Sequence, residues 1–351
     1  VAQVEEVQGE VVLAGPSGGA PGRRGSPILE GQGVRTGPQG RAVLVRPDGT
    51  RLELGPGSEI GRFEGGGRVA AGIRGMLRAQ VARRAAGEGP AIFAGSFARA
   101  VVLGTRFALE AEEGRFRVQV EEGRVRLERP GDGSAVEVAA GQAGTAARTG
   151  RLDVRFVPMS RSFQDGEDGY AGTSDAMIWG AEPNRPFGRE PRVKVDGNDG
   201  GYPAYGLVRW DLSGIPSSAV IRSAVVTLTV ENLSIEREYR IYEMKRPWSE
   251  AEVTWKVGAL GRPWQGPGAR GLGDRGTEIL GTVRPSLTGE VSLLLNDAGV
   301  AVIRSWVRAP ARNHGFLIAA DGGSDGFSFS SREAPEPSRR PKLTITYVLG
   351  K

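Results

Sequence analysis

Trp248, Glu250 and Trp255 sit close together in the run Trp248-Ser249-Glu250 to Val253-Thr254-Trp255. Two indoles and a carboxylate so spaced could form a sugar-stacking platform, because aromatic faces offer apolar surface to pyranose rings. They could equally cover a sandwich core, the usual fate of large aromatics. Arg209, Lys194 and Arg332 could meet the carboxylates of an acidic polysaccharide, the arginines as bidentate forks. Arg332 and Glu333, in Ser330-Ser331-Arg332-Glu333, could instead pair with each other and fix the final strand.

A second set is rich in oxygen. Asp165, Asp168, Asp175, Asp196, Asn198 and Asp199 lie in Gly-rich stretches, and such loops can hold a structural Ca²⁺. No D-x-D-x-D-G loop is present, and Asp-Gly and Asn-Asp-Gly also read as simple turns. The expectation is that no cofactor is required and that Ca²⁺, if bound, is structural.

Other chemistry is excluded or unsupported. The chain has no cysteine, which removes thiol nucleophiles, disulfides and Cys–zinc sites together. Its single histidine, His314, cannot build a multi-histidine metal site. Acid neighbours such as Asp165/Glu167 and Glu121/Glu122 do not stand out as a glycosidase pair. A lyase working through Tyr, Arg or Lys would escape these exclusions, but the expectation is a non-catalytic protein.

The net charge is +5 and the pI about 9.7, carried mostly by arginine; only Lys194, Lys245, Lys256, Lys342 and Lys351 are lysines. Such a balance favours acidic partners. The arginines are scattered rather than clustered with aromatics, so nucleic acid is not expected. No run approaches the roughly 20 apolar residues of a membrane-spanning helix. The chain opens on Val1 with no charged and apolar leader, which leads us to expect a secreted protein, extracellular or at the cell surface, whose signal peptide has been removed.

The elements that must position these residues are strands. Gly is 55 and Pro 22, against 7% aromatics, which suits short strands and many turns. Up to about Val157, runs such as Val7–Leu13, Ala42–Arg46, Arg51–Leu54, Phe116–Val120 and Val125–Glu128 alternate apolar and polar residues. One segment differs: Gly75–Ala86 is rich in Ala, Arg and Leu and reads as a short helix. Pro27–Gly31, Val34–Gly37, Gly40–Leu44, Asp48–Thr50, Val102–Phe107 (VLGTRF), Val120–Val125 and Ala139–Gln142 follow in an order that resembles the FecR domain. The resemblance implies a β-solenoid or sandwich-like fold and an envelope or exterior setting.

From about Arg161 the strand candidates are Arg192–Val195, Leu207–Asp211, Val220–Val230, Arg240–Met244, Glu290–Leu295, Gly315–Ala320, Phe327–Ser331 and Leu343–Val348. Their even spacing suits a jelly-roll β-sandwich. Tyr170–Asp175 (YAGTSD), Leu207–Pro216, Trp248–Trp255, Asn313–Leu317, Phe329–Glu333 and Arg340–Tyr347 together resemble the DNRLRE domain, a jelly-roll family with a carbohydrate-binding module. That resemblance implies binding of an alginate-like glycan. The expected organisation is therefore all-β, with a FecR-like domain at 1–157 and a jelly roll at 158–351.

Both ends read as strands, Val4–Leu13 and Leu343–Val348. A terminal strand can complete a neighbour's sheet. The leading expectation is a structural protein that assembles with copies of itself, as a fibre or coat. Val4, Val7, Val11 and Leu13 would be exchanged at one end, and Leu343, Ile345 and Tyr347 at the other. The alternatives are an acidic-polysaccharide binder and an envelope signalling module related to FecR regulators.

Overall fold

A computed structural model describes residues 1–15, 18–65, 68–83, 89–197, 201–233, 238–320 and 325–349. The chain divides into two compact units, Val1–Val157 and Pro158–Lys351. Both are built of strands, and the all-β class expected from the turns and alternation holds.

Unit 1 is built from sheets of nine, six and four strands among the described residues. The nine-stranded sheet runs from the edge strand Asp153–Phe156 through Gln142–Ala147, Arg115–Glu122 and Arg106–Ala111 to Gly75–Gln80, Arg51–Leu54, Arg41–Val45, Ala2–Gln8 and Pro27–Ile28. The six-stranded sheet includes Ser134–Ala139, Arg124–Arg129, Arg99–Val102 and Ala91–Ala94. Strict alternation gives each strand one buried face. Phe93 of the smaller sheet meets Phe107 of the larger edge to face at 5.2 Å, inside a single core. The ladders are antiparallel except for Arg68–Ala71 with Ala91–Ala94, so unit 1 takes the sandwich form, not the stacked coils of a solenoid.

The helix expected over Gly75–Ala86 is a strand over Gly75–Gln80, paired with Arg51–Leu54 and Arg106–Ala111; residues 84–86 lie outside the described residues. Leu77 and Ala79 are buried while Met76, Arg78 and Gln80 are exposed. Two neighbours offering ladder bonds outweigh the helix preference of Ala, Leu and Arg, which is worth only tenths of a kcal/mol per residue.

Unit 2 is one continuous eleven-stranded sheet with a small two-stranded hairpin beside it, among the described residues. Its long strand, Ala219–Asn232, pairs with Lys342–Leu349 over its first half, with Gly289–Leu294 on the other edge, and with Gly326–Ser330 at its end. The helix Asp297–Arg308, which the strand-dominated reading missed, buries Val300, Ile303, Trp306 and Val307 against the main core. The Asn296 side chain caps it by accepting from the Gly299 N–H.

Two central strands, Ala204–Trp210 and Phe316–Ala320, are buried on both faces. One face meets the main core. The other is covered by the excursion between Met244 and Leu280, whose Trp248, Val253, Trp255, Trp264 and Ala269 pack on Ala176, Ile178, Leu207 and Leu317.

The terminal strands already have partners in their own chain. Lys342–Leu349 lies between Met159–Phe163 and Ala219–Asn232, with Leu343, Ile345 and Tyr347 buried. At the other end, Ala2–Gln8 pairs along Arg41–Val45, and Val11–Gly15 lies between Gly18–Pro21 and Gly33–Thr36. Val4 and Val11 are buried, while Val7 and Leu13 are half-buried and pack against the same core. The strands expected to be donated are thus interior parts of the fold that carries them.

Candidate functional site

Four carboxylates gather around one guanidinium in unit 2. Arg332 donates from Nη1 to Glu250 Oε2 at 2.8 Å, and its Nε lies 3.3 Å from Asp165 Oδ2 and 3.7 Å from Glu333 Oε1. Its backbone N–H donates to Asp175 Oδ2 at 2.7 Å. Glu250 Oε1 in turn accepts the Asp175 N–H at 2.8 Å, and Asp165 Oδ1 accepts the Thr173 N–H at 2.8 Å. Three separate pieces of chain are knotted here: the strand Thr173–Trp179 with its approach, the loop at Glu250, and the segment after the strand Gly326–Ser330.

Oxygens of Asp175, Glu250 and Glu333 lie within 4.8 Å of one another. Burial pushes the Asp175 carboxyl well above the usual range, and the nearby Glu333 and Glu250 charges push the same way. Burial also raises Glu250 and Glu333, against the pull of Arg332. Perturbed carboxyls can mark catalysis. Here the spacing is tighter than the roughly 5 Å or more between working glycosidase carboxylates. Asp175 is only 1% exposed, so no sugar bond reaches it. Arg332 itself supplies the positive charge that such a cluster needs.

The knot fixes the wall of a groove. Ser331 Oγ donates to the Glu190 carbonyl at 2.7 Å, and the chain then runs directly into Ala334, Pro335 and Glu336 on the groove's lip. Gly188 presses on the same loop: a Cβ there would stand 1.9 Å from the Glu250 carbonyl oxygen. Only glycine permits that approach.

The groove encloses about 720 Å³. Trp179, half-buried, forms part of its lining, with its ring 6.1 Å from Phe187 and with Lys194 Nζ 5.9 Å from its centroid. Arg185 stands over Phe187 at 4.6 Å and bonds Glu182 and Glu190. Arg192 and Arg339 pair with Glu231, and Lys194 with Asp196 at 2.6 Å. Burial would raise Glu231, but the Ser330 hydroxyl and the two guanidiniums outweigh it and hold the carboxyl below its ordinary range.

The residues singled out from sequence are distributed as follows. Arg209 stands over Trp248 at 5.4 Å and donates to Ser174, on the strand that carries Asp175, so Arg209, Trp248, Glu250 and Arg332 fall in one neighbourhood. Trp248 and Trp255 are 4% and 9% exposed, inside the secondary core. They do not form an open platform: Trp248 Nε1 donates to the His314 carbonyl, and Trp255 packs on Tyr205. His314 is half-buried, and burial and Arg209 lower its pKa. Lys194 is at the groove, away from that pair.

The proposed calcium set separates. Asp165 and Asp175 join the Arg332 knot, Asp196 pairs with Lys194, and Asp168 is an exposed turn residue at φ 48°. Asn198 and Asp199 lie outside the described residues. Sequence reasoning missed Trp179 and Phe187 as groove residues. The one signal was the Trp179-Gly180 ending of an apolar run.

Two family models match this chain. The model described as FecR protein matches residues 32–126, within unit 1, and carbohydrate-binding module family 96 matches 168–257, within unit 2. The chain therefore carries a FecR domain followed by a carbohydrate-binding module, in the order the motifs had indicated. The second match includes Asp175, Trp179, Lys194, Arg209, Trp248 and Glu250 and stops short of Arg332. A search of curated proteins returned no match. Among solved structures, two crystal structures of a candidate anti-sigma factor from Parabacteroides distasonis ATCC 8503 are similar at 21% identity, with TM-scores of 0.32 and 0.31. Each match covers 35% of this chain and 59% of that one, so this chain spans about three fifths of their length.

Proposed function

We propose that this protein is a secreted, non-catalytic binder of a carboxylate-bearing polysaccharide, held in the unit 2 groove. One observation carries the reading. Of the six tryptophans, Trp210, Trp248, Trp255, Trp264 and Trp306 are buried; Trp179 alone is half-exposed, and it lies in the groove with an ammonium beside it. A sugar ring stacks on the indole while its carboxylate meets Lys194 and the neighbouring guanidiniums. The family 96 match over this region supports the same class of ligand. The reading needs no cofactor.

The test is retention of the full chain on immobilised alginate at low salt. Native protein is retained and released by added salt, as an interaction between charges requires. Trp179→Ala, which keeps the fold, is released at markedly lower salt than the native protein. Equal retention of the two proteins removes the groove from the binding.

Self-assembly by strand exchange would use the terminal strands, and Lys342–Leu349 would have to leave two partners to be donated. Envelope signalling draws on the FecR match alone.

A further inference from the structure

We propose that unit 1 holds a second site for the same carboxylated glycan, in a cleft where its turns converge; the ligand class rests on the reading above. The cleft of about 1100 Å³ lies between Ala94–Arg99, Pro130–Asp132 and Arg148–Gly150, with Gly61, Arg62 and Gly72 alongside. That is the size of a small-ligand site. Ile92 and the half-buried Phe97 give it an apolar surface. Arg62, Arg99, Arg129 and Arg148 line it with one acid, Asp132, while Glu64, Glu128 and Glu113 meet the first, second and fourth of them from outside the lining.

That one acid is spent. Arg129 is 5% exposed and donates to Asp132 Oδ2 at 2.8 Å, to the Ala147 carbonyl at 2.8 Å and to the Gly150 carbonyl at 2.6 Å. It ties two of the turns together and is scaffold. The other three guanidiniums are held but not consumed. Arg62 donates through Nε to Glu64, and Arg99 through Nε to Glu128, both at 2.7 Å. Among the described residues the terminal nitrogens of both make no hydrogen bond. Arg148 donates through Nε to the Glu113 carbonyl at 3.0 Å, its Nη2 lies 3.9 Å from the exposed Glu113 carboxylate, and its guanidinium is 5.6 Å from the Phe97 ring.

Terminal guanidinium nitrogens are the pair that grips a carboxylate bidentately. Several such forks around an aromatic surface fit a chain that alternates carboxylates with apolar ring faces. An oligomer of uronate sugars has that pattern. A phosphate ion or a lone carboxylate would leave Phe97 unused.

The experiment is calorimetric titration of the full chain with a mannuronate hexamer at low salt. The expected stoichiometry is two hexamers per chain. Trp179→Ala leaves one at the native affinity, the pair Arg99→Gln/Arg148→Gln leaves one, and all three together leave none at that affinity. Arg148 is well exposed, and Glu128 keeps Arg126 at 2.9 Å when Arg99 is changed, so the variants retain the fold. A single equivalent that vanishes with Trp179→Ala and ignores the arginine pair overturns the second site and leaves the groove standing. A single equivalent with the opposite sensitivity supports the cleft and removes the groove. Binding of a glutamate decapeptide in place of the hexamer, lost with the arginine pair, overturns the glycan as the cleft's ligand.

Discussion

Arg332 holds Asp175 through its backbone: the N–H of the one donates to Oδ2 of the other at 2.7 Å. Its guanidinium is thereby left for Glu250 and Asp165. Replacing the side chain keeps the first bond and removes the guanidinium that faces the knot's carboxylates, leaving Arg340, which meets the knot only at the Asp165 carbonyl.

Arg332→Gln should therefore destabilise unit 2 by about 3 kcal/mol, as expected when one partner of a largely buried ion cluster is removed. All six tryptophans lie in unit 2, so indole fluorescence follows that unit alone. The transition midpoint should fall by roughly 6–12 °C for a unit of this size. An unchanged midpoint would mean that the carboxylates are neutralised without the guanidinium.

The same cluster sets a pH dependence. Asp175, Glu250 and Glu333 are raised in the folded state. Above about pH 4, where the unfolded carboxyls lose their protons, the folded state binds more protons than the unfolded one. Stability from these groups is fully present below that pH and is lost as pH rises through their raised values. Urea unfolding should show unit 2 more stable at pH 5 than at pH 8. Asp175→Asn, which keeps an oxygen for the Arg332 N–H, should match native protein at pH 5 and exceed it at pH 8. A variant whose pH dependence parallels the native one refutes the assignment.

Gly188→Ala places a methyl group 1.9 Å from a backbone oxygen. Overpacking against main chain should cost about 2–3 kcal/mol. Gly276→Ala is the control, since its nearest neighbour would be 3.7 Å away, and it should stay within about 0.5 kcal/mol of native. Equal costs at the two positions would show that the Glu250 loop yields.

Trp179 and Trp248 should separate binding from folding. Trp248→Ala empties a buried site and should cost about 3–5 kcal/mol. Trp179→Ala should cost under about 1 kcal/mol while weakening glycan binding about tenfold, the worth of one good stacking contact. Chemical unfolding and retention on alginate, measured on both variants, read the two effects independently.

Much of unit 2 was legible because its strands announce themselves. Arg192–Val195 alternates, and the observed strand Arg192–Asp196 exposes Arg192 and Lys194 while burying Val193 and Val195. The helix Asp297–Arg308 was harder, although Val300, Ile303 and Val307 recur at helical spacing behind a capping Asn296. Gly75–Gln80 was misread because its residue types favour helix while its burial has period two. The knot was half visible: Ser330–Glu333 stood out, but nothing local to it names Asp175, 157 residues away. Nor does composition say which tryptophan stays open. That depends on the Met244–Leu280 excursion, which covers Trp248 and Trp255 along with the sheet beneath them.

The pairing of Met159–Phe163 with Lys342–Leu349 has a mechanical consequence. These are the first and last strands of unit 2, and they run antiparallel, with Met159 opposite Tyr347 and Phe163 opposite Leu343. The points where the unit's chain enters and leaves therefore lie side by side at one end of the ladder. Tension drawn across them loads the ladder from that end, one rung after another, instead of shearing all rungs together. A pull applied between the two ends of this unit therefore peels it open at low force.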